Sequence, residues 1–159
     1  VDYRKVYSSS AEMGGGVHLD LIHEIDYTVF LMGMPKAAAF YGGKKSSLEI
    51  SSYDVAHYAL EYENSSVFIT LNYYRRTAKR QIEVIWNDEE WTIDLLSNTI
   101  ISSTQGIVLD EKFDLRETYK YQMQYFLSAI QNEEKAMNDF SESLEILGLC
   151  LNQKENAKG

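Results

Sequence analysis

From about Lys36 to Val108 the chain reads as a series of strand-like segments joined by brief polar connections, and this feature constrains the fold most. Tyr53–Tyr62 and Ser66–Tyr74 are separated only by Glu63-Asn64-Ser65. Val67, Ile69 and Leu71 alternate with Phe68, Thr70 and Asn72, the period of a strand with two different faces. Gln81–Trp86 and Glu90–Leu95 flank the acidic turn Asn87-Asp88-Glu89, and a further pair is expected at Thr99–Ser102 and Gly106–Leu109. Strands joined by such short turns pair antiparallel, because a parallel pair needs a long crossover. A mostly antiparallel sheet is therefore expected, and a doubly wound parallel sheet or an all-helical bundle would contradict it.

Helical periodicity frames this region. Ile22, Ile25, Val29 and Met32 recur at one face of a helix expected over about Gly16–Met32, with Gly33 and Pro35 placed to end it. Near the other end, Leu115, Tyr119, Met123, Phe126, Leu127 and Ile130 make one apolar face, and Phe140, Leu144, Leu147 and Leu151 make another. Asp139 followed by Glu142 resembles a capping box opening the last helix. The polar tail Asn152–Gly159 is expected to fray. The order helix, strands, helices predicts an α+β domain over residues 1–159: an open, mostly antiparallel sheet of about five or six strands with helices on one face. An open sheet covered on one side leaves an apolar face, so a homo-oligomer through that face is expected. Tyr58, Tyr62, Phe68 and Tyr73 are the candidate contact residues.

Composition excludes several functions. Acidic residues outnumber basic ones 24 to 15, a formal net charge of -9, and the only basic run is Arg75-Arg76-Thr77-Ala78-Lys79-Arg80. Phosphate binding needs clustered cations, so no nucleic-acid partner is expected. The longest apolar stretch near the start, Tyr27–Met34, is too short to span a bilayer, so no membrane partner is expected. The single cysteine, Cys150, lies in the apolar run Leu147-Gly148-Leu149-Cys150-Leu151 and reads as a buried structural thiol in a reducing cytoplasm. The chain begins at Val1 with what resembles mid-protein sequence, and reads as a fragment or a processed chain.

The stretch that bears chemistry is Gly14-Gly15-Gly16-Val17-His18-Leu19-Asp20-Leu21-Ile22-His23-Glu24-Ile25-Asp26. Glycines ahead of a helix allow close backbone approach and free N–H groups. Asp20, His23 and Asp26 recur every three residues along a polar stripe, and a histidine between carboxylates suits proton transfer at a hydroxyl. A solvated helix face is the plainer alternative. Metal binding by His18, His23 and Asp26 is disfavoured, since His18 and His23 are five residues apart and diverge on a helix, and no metal is expected. A metal-dependent hydrolase would need metal at both histidines. His57, in an alternating strand, reads as a sheet-face residue. Gly14 and Gly16 match the start of a dinucleotide fingerprint, but position 19 is Leu and no strand precedes it.

These residues resemble the start of the C-terminal domain of the glucose–fructose oxidoreductase / inositol dehydrogenase (Gfo/Idh/MocA) family, whose pattern is a glycine run, D-x-x-x-H-x-x-D on a helix, then Leu-Gly. Asp2-Tyr3-Arg4 with Tyr7-Ser8 resembles the lead-in of some members. Asp94-Leu95 with Asn98-Thr99 resembles the family's strand meander. Tyr121–Ile130 and Asp139–Leu151 resemble its two closing helices. Two departures stand out: Asp20 precedes His23 by three residues rather than four, and the turn Trp86–Glu90 lacks the family's glycine.

The resemblance implies the substrate-binding domain of an NAD- or NADP-dependent oxidoreductase, with hydride passing to or from a sugar, polyol or sugar derivative. An N-terminal Rossmann domain would hold most of the cofactor and supply a lysine, so this chain alone is expected to be inactive. On the same basis His23 is the general acid/base and Asp20 orients it. Asp26, His18, Arg4 and Tyr7 contact the substrate, and Gly15 and Gly16 form a rim beside the cofactor. The alternative is a non-catalytic sugar-binding or dimerisation module of the same fold.

Overall fold

The computed structural model describes residues 2–112 and 114–151; the tail expected to fray lies outside the described residues. In chain order the elements are two 3₁₀ turns (Tyr3–Lys5, Tyr7–Ser9), α1 (Val17–Asp20), α2 (His23–Met32), β1 (Ala37–Gly43), β2 (Val55–Glu61), β3 (Ser66–Asn72), β4 (Gln81–Ile85), β5 (Glu90–Asp94), β6 (Thr99–Ser102), β7 (Gly106–Asp110), α3 (Leu115–Gln131) and α4 (Phe140–Leu151). The chain forms two compact units: Val1–Arg75 with Asn138–Gly159, and Arg76–Met137. Among the described residues every strand pair is antiparallel, in two sheets of order β1-β2-β3 and β4-β5-β6-β7. The α+β class holds. Among the described residues the strands number seven in two sheets rather than five or six in one. The additional strand, β1, is rich in Ala and Gly, whose weak strand propensity gives no bounded signal in sequence.

In the first unit, α1, α2 and α4 pack on one face of the three-stranded sheet. Val17, Ile25 and Val29 meet Ala56, Tyr58, Leu60 and Leu71 of the strands and Ile146 and Cys150 of α4 in one core. The Cys150 thiol is fully buried, and burial pushes its pKa up, as befits a structural thiol. The strand register decides which face each aromatic occupies. Tyr58 pairs with Ile69 and Ala59 with Phe68, so Tyr58 enters the core at 2% exposure while Phe68 stands on the opposite face at 79%. Tyr62 and Tyr73 also pack against the core. Of the four aromatics expected on the uncovered face, only Phe68 is there. Alternation alone fixes which residues share a face but not which face is covered.

The helix expected over Gly16–Met32 is interrupted. Around Leu21 (φ -105, ψ 29) the backbone hydrogen bonds shorten from the i−4 to the i−3 pattern, Ile22 to Leu19 and Glu24 to Leu21. Asp20 therefore ends α1 and His23 opens α2, with Leu21 and Ile22 forming the break between the two helices. Gly33 ends α2 as expected, in the left-handed region at φ 78, with its N–H donating to Val29.

The β1–β2 connection is anchored by Asp54, which is fully buried. Its carboxylate accepts hydrogen bonds from the Lys45 N–H at 2.7 Å, the Ser46 N–H at 2.9 Å and the Ser46 hydroxyl. Burial by itself would raise its pKa; the Ser46 hydroxyl and the two N–H groups outweigh this and hold it below the usual carboxylate value.

The second unit is an up-and-down meander followed by α3. The glycine-free turn before β5 is closed by a Trp86 N–H to Glu89 carbonyl bond of 2.8 Å. The Glu89 carboxylate is held by the hydroxyls of Ser102 and Thr104, and Trp86 meets Trp91 edge-on at 5.6 Å. Asn98 takes the left-handed conformation (φ 57) between β5 and β6. Asp114 caps α3 by accepting from the Arg116 N–H. Tyr119, Met123, Phe126, Leu127 and Ile130 are exposed along α3; the side chain of Leu115 lies outside the described residues.

Candidate active site

Two clusters of polar groups form in the first unit, one with Asp20 and Tyr7 and the other with His23 and Asp26. The first cluster centres on Asp20. The Tyr7 hydroxyl donates to one carboxylate oxygen at 2.7 Å and the Tyr73 hydroxyl to the other at 3.0 Å. The hydrogen bond to Asp20 raises the Tyr7 pKa, whereas Tyr73 is pushed up first by burial and then by Asp20. Both phenols therefore stay protonated donors that fix the carboxylate. Tyr73, read from sequence as a sheet-face aromatic, turns instead toward α1.

The second cluster is a cleft of about 210 Å³ lined by Ile22, His23, Asp26, Asn138, Ser143 and Ile146. The Asn138 amide donates to Asp26 at 3.0 Å, and the Ser143 hydroxyl donates to the Asn138 carbonyl at 2.6 Å. His23 is half exposed at the start of α2, with Nε2 3.1 Å from Glu24 Oε1. Glu24 is itself buried and accepts the Tyr27 hydroxyl at 2.6 Å on its other oxygen. The cleft thus joins His23 and Asp26 on one side to a hydrogen-bonded Asn–Ser pair on the other.

The structure brings together His23 and Asp26, and separately Asp20 and Tyr7. Among the described residues no hydrogen bond links Asp20 to His23. Arg4 lies elsewhere on the surface, paired with Asp2 at 2.9 Å and Glu49 at 2.7 Å. His18 is buried between the rings of Phe40 and Tyr53, its Nδ1 without a partner, and burial lowers its pKa. His57 lies in β2 with Nδ1 3.2 Å from the Thr70 hydroxyl across the sheet. Among the described residues no group of three His, Cys, Asp or Glu side chains could hold a metal ion, and no helix is long and apolar enough to cross a membrane.

The glycine run serves the chain's own packing. A Cβ on Gly15 would stand 2.4 Å from the Tyr7 carbonyl oxygen, and the Gly15 N–H already donates to Ser10 at 2.8 Å. Gly16 has φ 130, and a Cβ there would stand 2.6 Å from the His18 ring. The Gly15 N–H is thus engaged within the chain, and the described strands form no parallel strand–helix–strand unit.

Sequence reading did not single out Glu24, Tyr73, Asn138 or Ser143 as site residues. Asn138 lies 112 positions from its partner Asp26, and only the return of α4 to the first unit joins them.

Comparison with known proteins is consistent with this architecture. Residues 4–155 match the family model for the oxidoreductase family, C-terminal alpha/beta domain. Similar solved structures include UDP-N-acetylglucosamine 3-dehydrogenase GnnA from Acidithiobacillus ferrooxidans, 22% identical with a TM-score of 0.70 over 86% of this chain and 45% of that one. A putative NADPH-dependent oxidoreductase from Desulfitobacterium hafniense is 18% identical, with a TM-score of 0.73 over 92% of this chain and 47% of that one. An oxidoreductase from Agrobacterium radiobacter, solved with NAD+, L-tartaric acid and magnesium, is 12% identical, with a TM-score of 0.70 over 86% and 46%. At these identities the likeness shows the fold. The chain spans slightly under half the length of these structures. No curated protein matches the sequence. On the strength of the family match across nearly its whole length, the chain belongs to the C-terminal alpha/beta domain of the Gfo/Idh/MocA oxidoreductase family.

Proposed function

We propose that this chain is the substrate-binding domain of an NAD- or NADP-dependent oxidoreductase acting on a sugar, polyol or sugar derivative, with His23 as the general acid/base. The observation that carries the reading is the cleft in which His23 and Asp26 face Asn138 and Ser143. Oxidation of a secondary alcohol removes a proton together with a hydride, so a base must touch the hydroxyl. Asp26, Asn138 and Ser143 offer both acceptors and donors for neighbouring hydroxyls. The cleft is smaller than the roughly 300–1,000 Å³ of pockets that enclose a whole ligand. It would therefore grip one part of the substrate, and a Rossmann domain outside this chain would contribute the rest. The nicotinamide held by that domain would supply the hydride chemistry. Asp20, fixed by Tyr7 and Tyr73, would accept from a further hydroxyl. Gly15 and Gly16 would keep the rim thin where the cofactor approaches.

The test is turnover by the intact protein with a panel of sugars, polyols and sugar nucleotides, followed by coenzyme absorbance. Asp26→Ala is expected to raise KM about tenfold or more with little change in kcat, because it removes uniform binding. Turnover confined to substrates without neighbouring hydroxyls would overturn the reading.

A second expectation concerns assembly. Ala39, Tyr41, His57, Ala59 and Phe68 line a shallow depression on the sheet face away from the helices. A homo-oligomer would bury this face over more than about 1,000 Å². Phe68→Glu is expected to give monomers in light scattering at concentrations where the unaltered protein is oligomeric.

A further inference from the structure

We infer that Glu24, rather than Asp20, is the positioning residue that sets the orientation and proton placement of His23, an assignment that rests on the acid/base reading of His23. Adjacent residues on a regular helix do not face each other. Here they meet because His23 is the first residue of α2, just past the tightened turn at Leu21, and its Nε2 lies 3.1 Å from Glu24 Oε1. Asp20 lies at the end of α1, before that turn, and its two oxygens accept from Tyr7 and Tyr73.

Glu24 suits the positioning role for three physical reasons. It is buried, so its attraction for a neighbouring N–H is weakly screened by water. It lies in the first turn of α2, where a carboxylate is favoured by the helix dipole. Its second oxygen accepts the Tyr27 hydroxyl at 2.6 Å, which prevents the carboxylate from rotating away. A neutral imidazole that keeps its proton on Nε2, the nitrogen beside Glu24, carries its lone pair on Nδ1. Nδ1 is then the atom that takes the proton from a substrate hydroxyl in one direction and returns it in the other.

The experiment uses the intact protein with Glu24→Gln, Tyr27→Phe and Asp20→Asn. The nitrogen-15 shifts of the His23 ring report where the proton sits, independently of activity. In the unaltered protein with a neutral imidazole, the proton is expected on Nε2 alone. Glu24→Gln is expected to let the ring relax to a tautomer mixture and to lower kcat about 10–100-fold with KM unchanged, the usual cost of losing a histidine's orienting partner. Tyr27→Phe, which is the milder replacement should Glu24→Gln fail to fold, is expected to move both readouts in the same direction by less. Asp20→Asn is expected to leave the His23 ring shifts unaltered. Ring shifts that survive Glu24→Gln and Tyr27→Phe but change in Asp20→Asn would overturn the assignment. If His23→Ala kept full activity, the acid/base reading would fall, while the ring shifts would still decide which carboxylate holds the imidazole.

Discussion

Alanine at His23 in the intact protein is expected to lower kcat by about 10²–10⁴-fold, the usual range for losing a general acid/base. That corresponds to about 3–5 kcal/mol of transition-state stabilisation. The fall belongs in kcat because the proton moves only as the alcohol becomes a carbonyl. Ground-state contacts from Asp26, Asn138 and Ser143 remain in place. Coenzyme affinity should change little if, as proposed, a Rossmann domain outside this chain holds most of the coenzyme. Steady-state kinetics with saturating coenzyme provide the measurement. A variant with undiminished kcat across the pH range would reduce His23 to a solvated helix residue that satisfies Glu24.

The second large effect is on folding. Asp54→Ala is expected to destabilise the first unit by about 3 kcal/mol, because it removes a buried acceptor and leaves the Lys45 and Ser46 N–H groups unpaired. The pKa of Asp54 is depressed in the folded state, so the contribution is fully present above the unfolded carboxylate value of about 3.9. It is lost as pH falls through the lower folded value. The gap between the original protein and Asp54→Ala should therefore be constant near neutrality and narrow below about pH 4. Hydrogen exchange at the β2 amides reads the first unit alone and measures the gap directly. Equal protection in both proteins at neutral pH would show that the Lys45–Ser46 loop finds other partners.

Local rules made much of this legible. Alternation in Val67–Leu71, the three-residue turn Glu63-Asn64-Ser65 and the stop at Gly33 all have their cause within a few residues, and each appears in the structure where expected. His23 and Asp26 fall on one stripe and share the cleft because three residues is close to one helical turn. Asp20 belongs to the same stripe by spacing, yet the helix breaks between it and His23 and its carboxylate is held by Tyr7 and Tyr73, and nothing in the sequence around Leu21 marks that break. The faces of Tyr58 and Tyr73 depended on which side of the sheet the helices would cover. Asn138 reaches Asp26 only because α4 returns across an intervening unit, a contact no local pattern encodes.

That return also bears on how the chain acquires its structure during synthesis. The first unit is discontinuous: its strands and α1–α2 are translated early, but Ile146 and Cys150, which complete its core, come after the whole second unit. Residues 76–137 are contiguous, and their meander pairs only nearest neighbours in sequence, a low contact order that favours early folding. The emerging chain therefore carries Tyr58, Leu60 and Leu71 with part of their covering layer missing until α4 leaves the ribosome. Over that interval the exposed apolar face is a target for chaperones and for mispairing with another nascent copy.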